Sequence, residues 1–231
     1  MRALVVADGD HPTSAALDAA WPGWDVGVDL VVAADGGARL ADALGLTIDR
    51  WVGDGDSLGP DGVATLRDRG VAIDLASTDK DQSDAELGLL AVVAAGATEI
   101  TLLGALGGPR PDHALANVAL LGHPAASGLA LEILDPRARI RLLDATAPAH
   151  PDVLPVRRLD LSGRIGDLVS LIPLHDVTGA SSTGLQFPLD QASLPVGPSR
   201  SLSNVRTQPI AEIAIRTGRL LVIEAPATFS P

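Results

Sequence analysis

Apolar positions in the first half of the chain come in short runs, each closed by aspartate or glycine. Ala3 to Ala7 ends in Asp8-Gly9, and its length and lack of alternation predict a buried strand. Leu30 to Ala34 repeats the pattern and ends in Asp35-Gly36-Gly37. Arg39 to Gly45 has helical spacing, Arg50 to Val52 reads as a short strand, and Asp61 to Arg69 reads as a helix stopped by Gly70. Val71 to Leu75 predicts another strand. Ser83-Asp84-Ala85-Glu86 has the form of a capping box, in which the serine hydroxyl and the glutamate carboxylate satisfy free amides of a first helical turn. Leu87, Leu90, Val93 and Ala94 then mark an apolar helix face, and Gly96 ends it. A strand over Glu99 to Leu103, a glycine-rich loop over Gly104 to Gly108 and a short helix over Ala114 to Leu121 follow.

Alternating strands and helices predict an α/β domain with a mostly parallel sheet and flanking helices over residues 1–144. The pattern changes near Asp144. Residues 145–155 hold three prolines and read as a linker. Over 156–231 only short β-like runs recur, at Leu168 to Ile172, Glu212 to Arg216 and Arg219 to Ile223, separated or flanked by turn clusters. This half predicts an all-β domain, a sandwich or a barrel.

Composition narrows the chemistry. The 231 residues are 46% apolar but only 2% aromatic, so the core is aliphatic and few side chains can stack on a ring. The net charge of −12 opposes nucleic-acid binding, which draws its affinity from a basic face. A bound cation would still admit a phosphate ligand. Without cysteine there is no disulfide, thiolate metal site or cysteine nucleophile. The N-terminal apolar stretch is too short for a signal peptide and the longest internal one too short to span a bilayer, so a soluble cytoplasmic protein is the expectation.

Aspartates crowd the element ends, and crowded carboxylates call for a positive neutraliser. A hard divalent cation with oxygen ligands, bridging to phosphate, is the usual one. In Gly53-Asp54-Gly55-Asp56-Ser57 an extended chain would point Asp54 and Asp56 to one side, about 7 Å apart. The same segment also reads as a turn, because Asp-Gly is a frequent turn pair. In Asp79-Lys80-Asp81-Gln82-Ser83-Asp84, Asp84 sits where unpaired helix amides favour an anion. Lys80 is either a phosphate ligand or a solvated surface group. In the loop from Gly104 to His113, Arg110 is placed to clamp a phosphate. His113 and Asn117 share a helix face, facing either a ligand or the loop's own carbonyls. No G-x-S-x-G elbow or histidine metal spacing occurs.

Taken in order, these segments resemble the thiamine pyrophosphokinase family. The matching strings are Ala34 to Ala38, Gly53 to Ser57, Asp79 to Asp84, Gly107 to Asn117, Gly184 to Leu189, and Ser203-Asn204 followed by Gly218 to Val222. They run from Ala34 to Val222, and their order is more specific than any one string. The resemblance implies an ATP-binding α/β domain, a β domain, and a homodimer with thiamine bound between subunits. It implies transfer of a pyrophosphoryl group from ATP to the thiamine hydroxyl, releasing AMP. Asp54, Asp56 and Asp84 would hold Mg²⁺ and phosphates, with Asp84 or Asp81 taking the hydroxyl proton. Asp35, Gly36, Lys80 and Arg110 would bind the nucleotide, and Asp112, Ser203 and Asn204 would lie near thiamine. Another Mg²⁺-dependent kinase or nucleotidyltransferase for a small alcohol, and a nucleotide-sensing module, are the rival readings. Two departures from the family pattern stand out. The Gly-Gly-Arg-x-Asp-His string carries an extra residue and two prolines here, Pro109 and Pro111. Some relatives stack thiamine on a C-terminal tryptophan, whereas every tryptophan here precedes residue 52, so that contact is either missing or replaced, with Phe187 as the candidate.

Overall fold

The computed structural model of the chain describes residues 1–146 and 157–227. It forms two compact units that part at Pro136, ahead of the expected boundary at 144. Most of the expected linker, 147–155, lies outside the described residues.

The first unit alternates strands and helices: β1 (Arg2–Val6), α1 (Ser14–Ala20), β2 (Leu30–Ala34), α2 (Gly37–Ala43), β3 (Arg50–Gly53), α3 (Pro60–Asp68), β4 (Ala72–Leu75), α4 (Asp84–Ala94), β5 (Glu99–Leu103), α5 (Pro111–Ala119) and β6 (Ala130–Asp135). Its strands lie in the order β6-β5-β1-β2-β3-β4, and every pairing among them is parallel. The chain moves outward from β1 through β2, β3 and β4, then returns to β5 on the other side. That reversal creates a switch point between β1 and β5, where open α/β sheets hold ligands beyond the carboxyl ends of their strands. The strands that flank it are buried on both faces, which is why they read as unbroken apolar runs.

All three tryptophans serve this unit's interior. Trp51 is fully buried and donates to the Asp35 carbonyl (3.0 Å). Trp21 donates to the Asp135 carbonyl (2.8 Å) and Trp24 to Asp18 Oδ1 (3.0 Å). Each ring is buried with its N–H satisfied, so none is free to stack on a ligand.

Helix α4 starts where the sequence predicts, with Ser83 Oγ accepting the Glu86 amide (3.2 Å). Only half of the capping box forms, because the Glu86 carboxylate lies 3.4 Å from His123 Nε2. The buried face is also different from the expected one. Ala85, Gly88, Leu89 and Val92 face inward, whereas Leu87, Leu90 and Val93 are half-buried and Ala94 is exposed. This helix is apolar nearly all round, so spacing alone does not choose its inner stripe. Gly88 does: a Cβ there would lie 2.6 Å from Val5 Cγ1, so glycine brings α4 down onto β1.

The second unit is all-β, comprising β7 (Ala138–Asp144), β8 (Arg158–Ser162), β9 (Leu168–Pro173), β10 (Val177–Thr183), β11 (Ala192–Leu194), β12 (Asn204–Val205), β13 (Ile210–Ala214) and β14 (Arg219–Ala225). Strands β12-β9-β14-β7 form one antiparallel layer and β11-β10-β13-β8 another. An aliphatic core that includes Leu143, Leu161, Val169, Val177, Ile213 and Leu220 lies between them. Of the two expected forms, this is the sandwich. Among the described residues, no helix is long and apolar enough to cross a membrane.

Candidate active site

Beyond the carboxyl ends of the parallel strands lies an open cleft of about 530 Å³. Its floor is the switch point itself. The loops after β1 and β5 are joined by Gly9 N to Gly104 O (2.7 Å), Asp10 N to Leu106 O (2.7 Å) and Gly108 N to Asp10 Oδ1 (2.9 Å). Close backbone approach is needed on the neighbouring strand end too. A Cβ on Gly36 would lie 2.0 Å from Asp8 Oδ2, and one on Gly37 2.0 Å from the Val6 carbonyl oxygen.

Asp35 follows β2 directly. It is buried and sits at φ +40, a left-handed conformation that aspartate tolerates better than most residues. Its carboxylate accepts the amides of Ser57 (3.0 Å) and Leu58 (3.3 Å), which ties the end of β2 to the loop after β3. Burial pushes its carboxyl above the ordinary 3.8; the Ser57 and Leu58 bonds oppose this and the nearby Asp56 carboxylate adds to it.

Asp54 opens the loop after β3. Its Oδ1 accepts the Asp56 amide (3.1 Å), so the chain turns at once and the alternation of an extended strand does not continue past Gly53. Both readings of this segment therefore meet in one residue, a turn that also presents a carboxylate. Asp54 Oδ2 accepts from Lys80 Nζ (3.1 Å), and the Asp56 amide followed by Lys80 holds its carboxyl below 3.8. Asp84 is the first residue of α4, and its Oδ1 accepts from the same ammonium (2.8 Å). Lys80 is thus no solvated surface group: its side chain is only 13% exposed. Burial pulls its ammonium down, but the bonds from Asp84 and Asp54 outweigh it and the net direction is up.

Carboxylate oxygens of Asp35, Asp54 and Asp84 lie within 4.8 Å of one another. All donors are hard oxygens from side chains anchored by strand ends or a helix cap, a set that fits a hard divalent cation. Asp56, expected beside Asp54, lines the cleft but stands outside that trio; its Oδ1 accepts from Ser57 Oγ (3.1 Å). Asp81 is exposed and does not line the cleft.

Arg110 and His113 also line the cleft. Arg110 is the N-cap residue of α5 and forms a two-pronged pair with Asp112 (2.9 and 2.6 Å), both side chains more than 60% exposed. That pairing holds the Asp112 carboxyl down at about 2. Asn117 is buried and donates to the Ala105 carbonyl (2.9 Å), so it supports the loop.

Ser203 and Asn204 belong to the second unit and line a groove of about 270 Å³ with Phe187. Asn204 Oδ1 accepts the Phe187 amide (3.0 Å) and its Nδ2 donates to the Phe187 carbonyl (2.7 Å). This double clasp holds up a ring that is 66% exposed. Ser203 is at φ +55, with its amide on Ser170 Oγ (2.9 Å).

One cleft residue escaped the sequence reading. Asp8 borders the cleft after β1 and accepts from or faces His11 Nε2 (3.0 Å). Its signal was present, since Ala7-Asp8-Gly9 repeats Ala34-Asp35-Gly36 at the end of an adjacent strand.

Comparison with known proteins adds an independent line. Residues 26–133 match the family model of the thiamin pyrophosphokinase catalytic domain, and residues 158–222 that of the thiamin pyrophosphokinase vitamin B1 binding domain. No curated protein gives a significant sequence match. Among solved structures, thiamine pyrophosphokinase from Bacillus subtilis superposes with a TM-score of 0.79 at 21% identity, covering 97% of this chain and 99% of that one. A thiamin pyrophosphokinase family protein from Enterococcus faecalis gives 0.78 at 23% identity, covering 98% and 99%. Thiamin pyrophosphokinase from Candida albicans gives 0.73 at 16%, covering 97% and 89%.

Proposed function

The chain belongs to the thiamin pyrophosphokinase family, and from that premise we propose that it transfers the pyrophosphoryl group of ATP to the hydroxyl of thiamine. The products are thiamine diphosphate and AMP. The supporting observation is the trio Asp35, Asp54 and Asp84 beneath a switch-point cleft that also presents Lys80 and Arg110. Phosphoryl-type transfer needs positioning and charge neutralisation more than a covalent nucleophile, and the cleft offers those.

Asp54 and Asp84, with Asp35, are the residues that would hold Mg²⁺, and Asp56 supports them from the cleft wall. Bound there, the cation would neutralise charge on the phosphate oxygens. Gly36 lines the nucleotide cleft with the Asp8 carboxylate packed against it, and Lys80 and Arg110 supply positive charge to the triphosphate. The thiamine hydroxyl oxygen bonds to the β-phosphorus as the bond from that phosphorus to the α–β bridging oxygen breaks, and AMP leaves with that oxygen. The hydroxyl proton passes to Asp84, because Asp81 stands away from the cleft. Thiamine is assigned to the groove of Phe187, Ser203 and Asn204, whose exposed ring offers a stacking face. The working form is a homodimer in the cytoplasm.

Phosphorus NMR of a reaction containing thiamine, ATP and Mg²⁺ tests this reading. AMP and thiamine diphosphate should appear together in equal amounts. ADP with thiamine monophosphate would reject the pyrophosphoryl transfer.

A further inference from the structure

The chain contains sixteen arginines and a single lysine, and that lysine is Lys80. Its ammonium bridges Asp54 Oδ2 (3.1 Å) and Asp84 Oδ1 (2.8 Å), two members of the carboxylate trio. Everywhere else the chain uses a guanidinium for positive charge. An ammonium differs in being a compact point charge on a flexible stem, whereas a guanidinium is a planar fork. At this position it is the side chain that most resembles a bare metal ion. Its backbone lies in the loop ahead of the Ser83 cap, outside α4, so the side chain is not committed to a helix face.

We propose that Lys80 is a resident surrogate cation: it bridges Asp54 and Asp84 of the carboxylate trio when no divalent ion is bound, and the ion displaces it. This rests on the reading of Asp35, Asp54 and Asp84 as the metal-holding residues. Three carboxylates this close repel one another, and Lys80 keeps two of them converged before any metal arrives. A divalent ion seated on the same oxygens would stand within contact distance of the ammonium, and two positive centres cannot share that space without a large Coulomb penalty. The ammonium therefore leaves. The flexible stem then carries it along the cleft, where phosphate oxygens replace the carboxylates it has lost. One residue thus preorganises the empty site and contributes to the loaded one.

Because the chain has one lysine, selective ¹³C-lysine labelling gives one lysine Cε–Hε NMR signal, which reports on this exchange in the intact protein. Mg²⁺ alone, without nucleotide, should move that signal from a dispersed, ion-paired position to the sharp position of a free lysine. In parallel, Mn²⁺ binding is measured by the loss of free-ion EPR signal. Lys80→Met should bind Mn²⁺ at least about fivefold more tightly than wild type, the factor lost when one ammonium–carboxylate pair at contact distance in water has to be given up. Lys80→Arg keeps the charge and should not gain affinity. An unchanged lysine signal at saturating Mg²⁺, or equal or weaker Mn²⁺ binding by Lys80→Met, overturns the exchange while leaving the metal site standing. Absence of an Mn²⁺ site that Asp54→Asn abolishes overturns the metal reading, and the exchange with it.

Discussion

At the scale of single residues, the cleft sorts its aspartates by what each one touches. Asp54 is held by an amide and an ammonium, Asp84 by a helix start, and Asp35 by two loop amides. Asp54→Asn should fold and lose about a hundredfold in kcat, in line with removal of one preorganised charge from a phosphoryl-transfer site. Asp56→Asn should also fold and lose at least about tenfold, since Asp56 works from outside the trio. Asp160→Asn, an exposed position in β8, should be indistinguishable from wild type in the same assay. Asp35 gives a prediction in pH. Its carboxyl is pushed above 3.8 chiefly by burial, so from 3.8 up to the raised value the native state keeps a proton that the unfolded chain has released. Native stability contributed by this group falls as pH rises through that window and stays lower above it. Urea titrations at steps from about pH 3 to about pH 6 should therefore show wild type losing ground to Asp35→Asn as pH rises. A pH-independent difference would contradict the assignment. Mg²⁺ at the proposed site would favour the charged form and weaken that slope.

Elements were legible where local chemistry alone decides them. Strands β1, β2 and β5 are short apolar runs stopped by Asp or Gly, and α4 announces itself through Ser83. Helix α1 was missed because Ser14 to Ala20 is mostly alanine and carries little periodicity. In the second unit, Val177 to Thr183 forms β10 although it contains glycine, two serines and two threonines, because pairing with β11 and β13 decides it. The inner face of α4 was likewise set by tertiary contact, through Gly88 against Val5. Gly88→Ala tests which effect is larger. Helix propensity alone would favour alanine by about 1 kcal/mol. The Cβ would meet a buried β-branched side chain at 2.6 Å, and overpacking of that kind costs roughly 1–3 kcal/mol. Net destabilisation is expected, read as a lower urea midpoint; a gain would mean α4 can lift from β1 freely.

For the whole molecule, the sequence conveyed the α/β and all-β halves and the aspartate segments, but not which carboxylates meet. Asp35, Asp54 and Asp84 come from three different strand-to-loop or loop-to-helix junctions, and only the sheet order brings them together. The expected convergence of Asp54 with Asp56 relied on strand alternation; a turn takes its place after Gly53, and both residues still line the cleft. Assembly is the remaining prediction at this scale. The second unit exposes Phe187, Val196, Leu202 and Ile210, apolar area that association would cover. Sedimentation at micromolar protein should give a dimer; a fully active monomer would remove the proposed homodimer.

The switch point has a consequence for how the molecule is made. Strand β1 is synthesised before the other elements of its unit, yet one of its two neighbours, β5, is among the last of that unit, with Val6 paired to Leu103. Closing so long a stretch of chain is slow, because entropy is lost before the contact forms. The cleft floor, Gly9 on Gly104 and Asp10 on Leu106, cannot exist until that closure is complete. A nascent chain that has emerged only as far as α4 thus already holds Asp35, Asp54 and Asp84 but has no floor beneath a nucleotide. Competence to bind nucleotide arrives as a late event of folding, well after most helices and strands of the unit have formed.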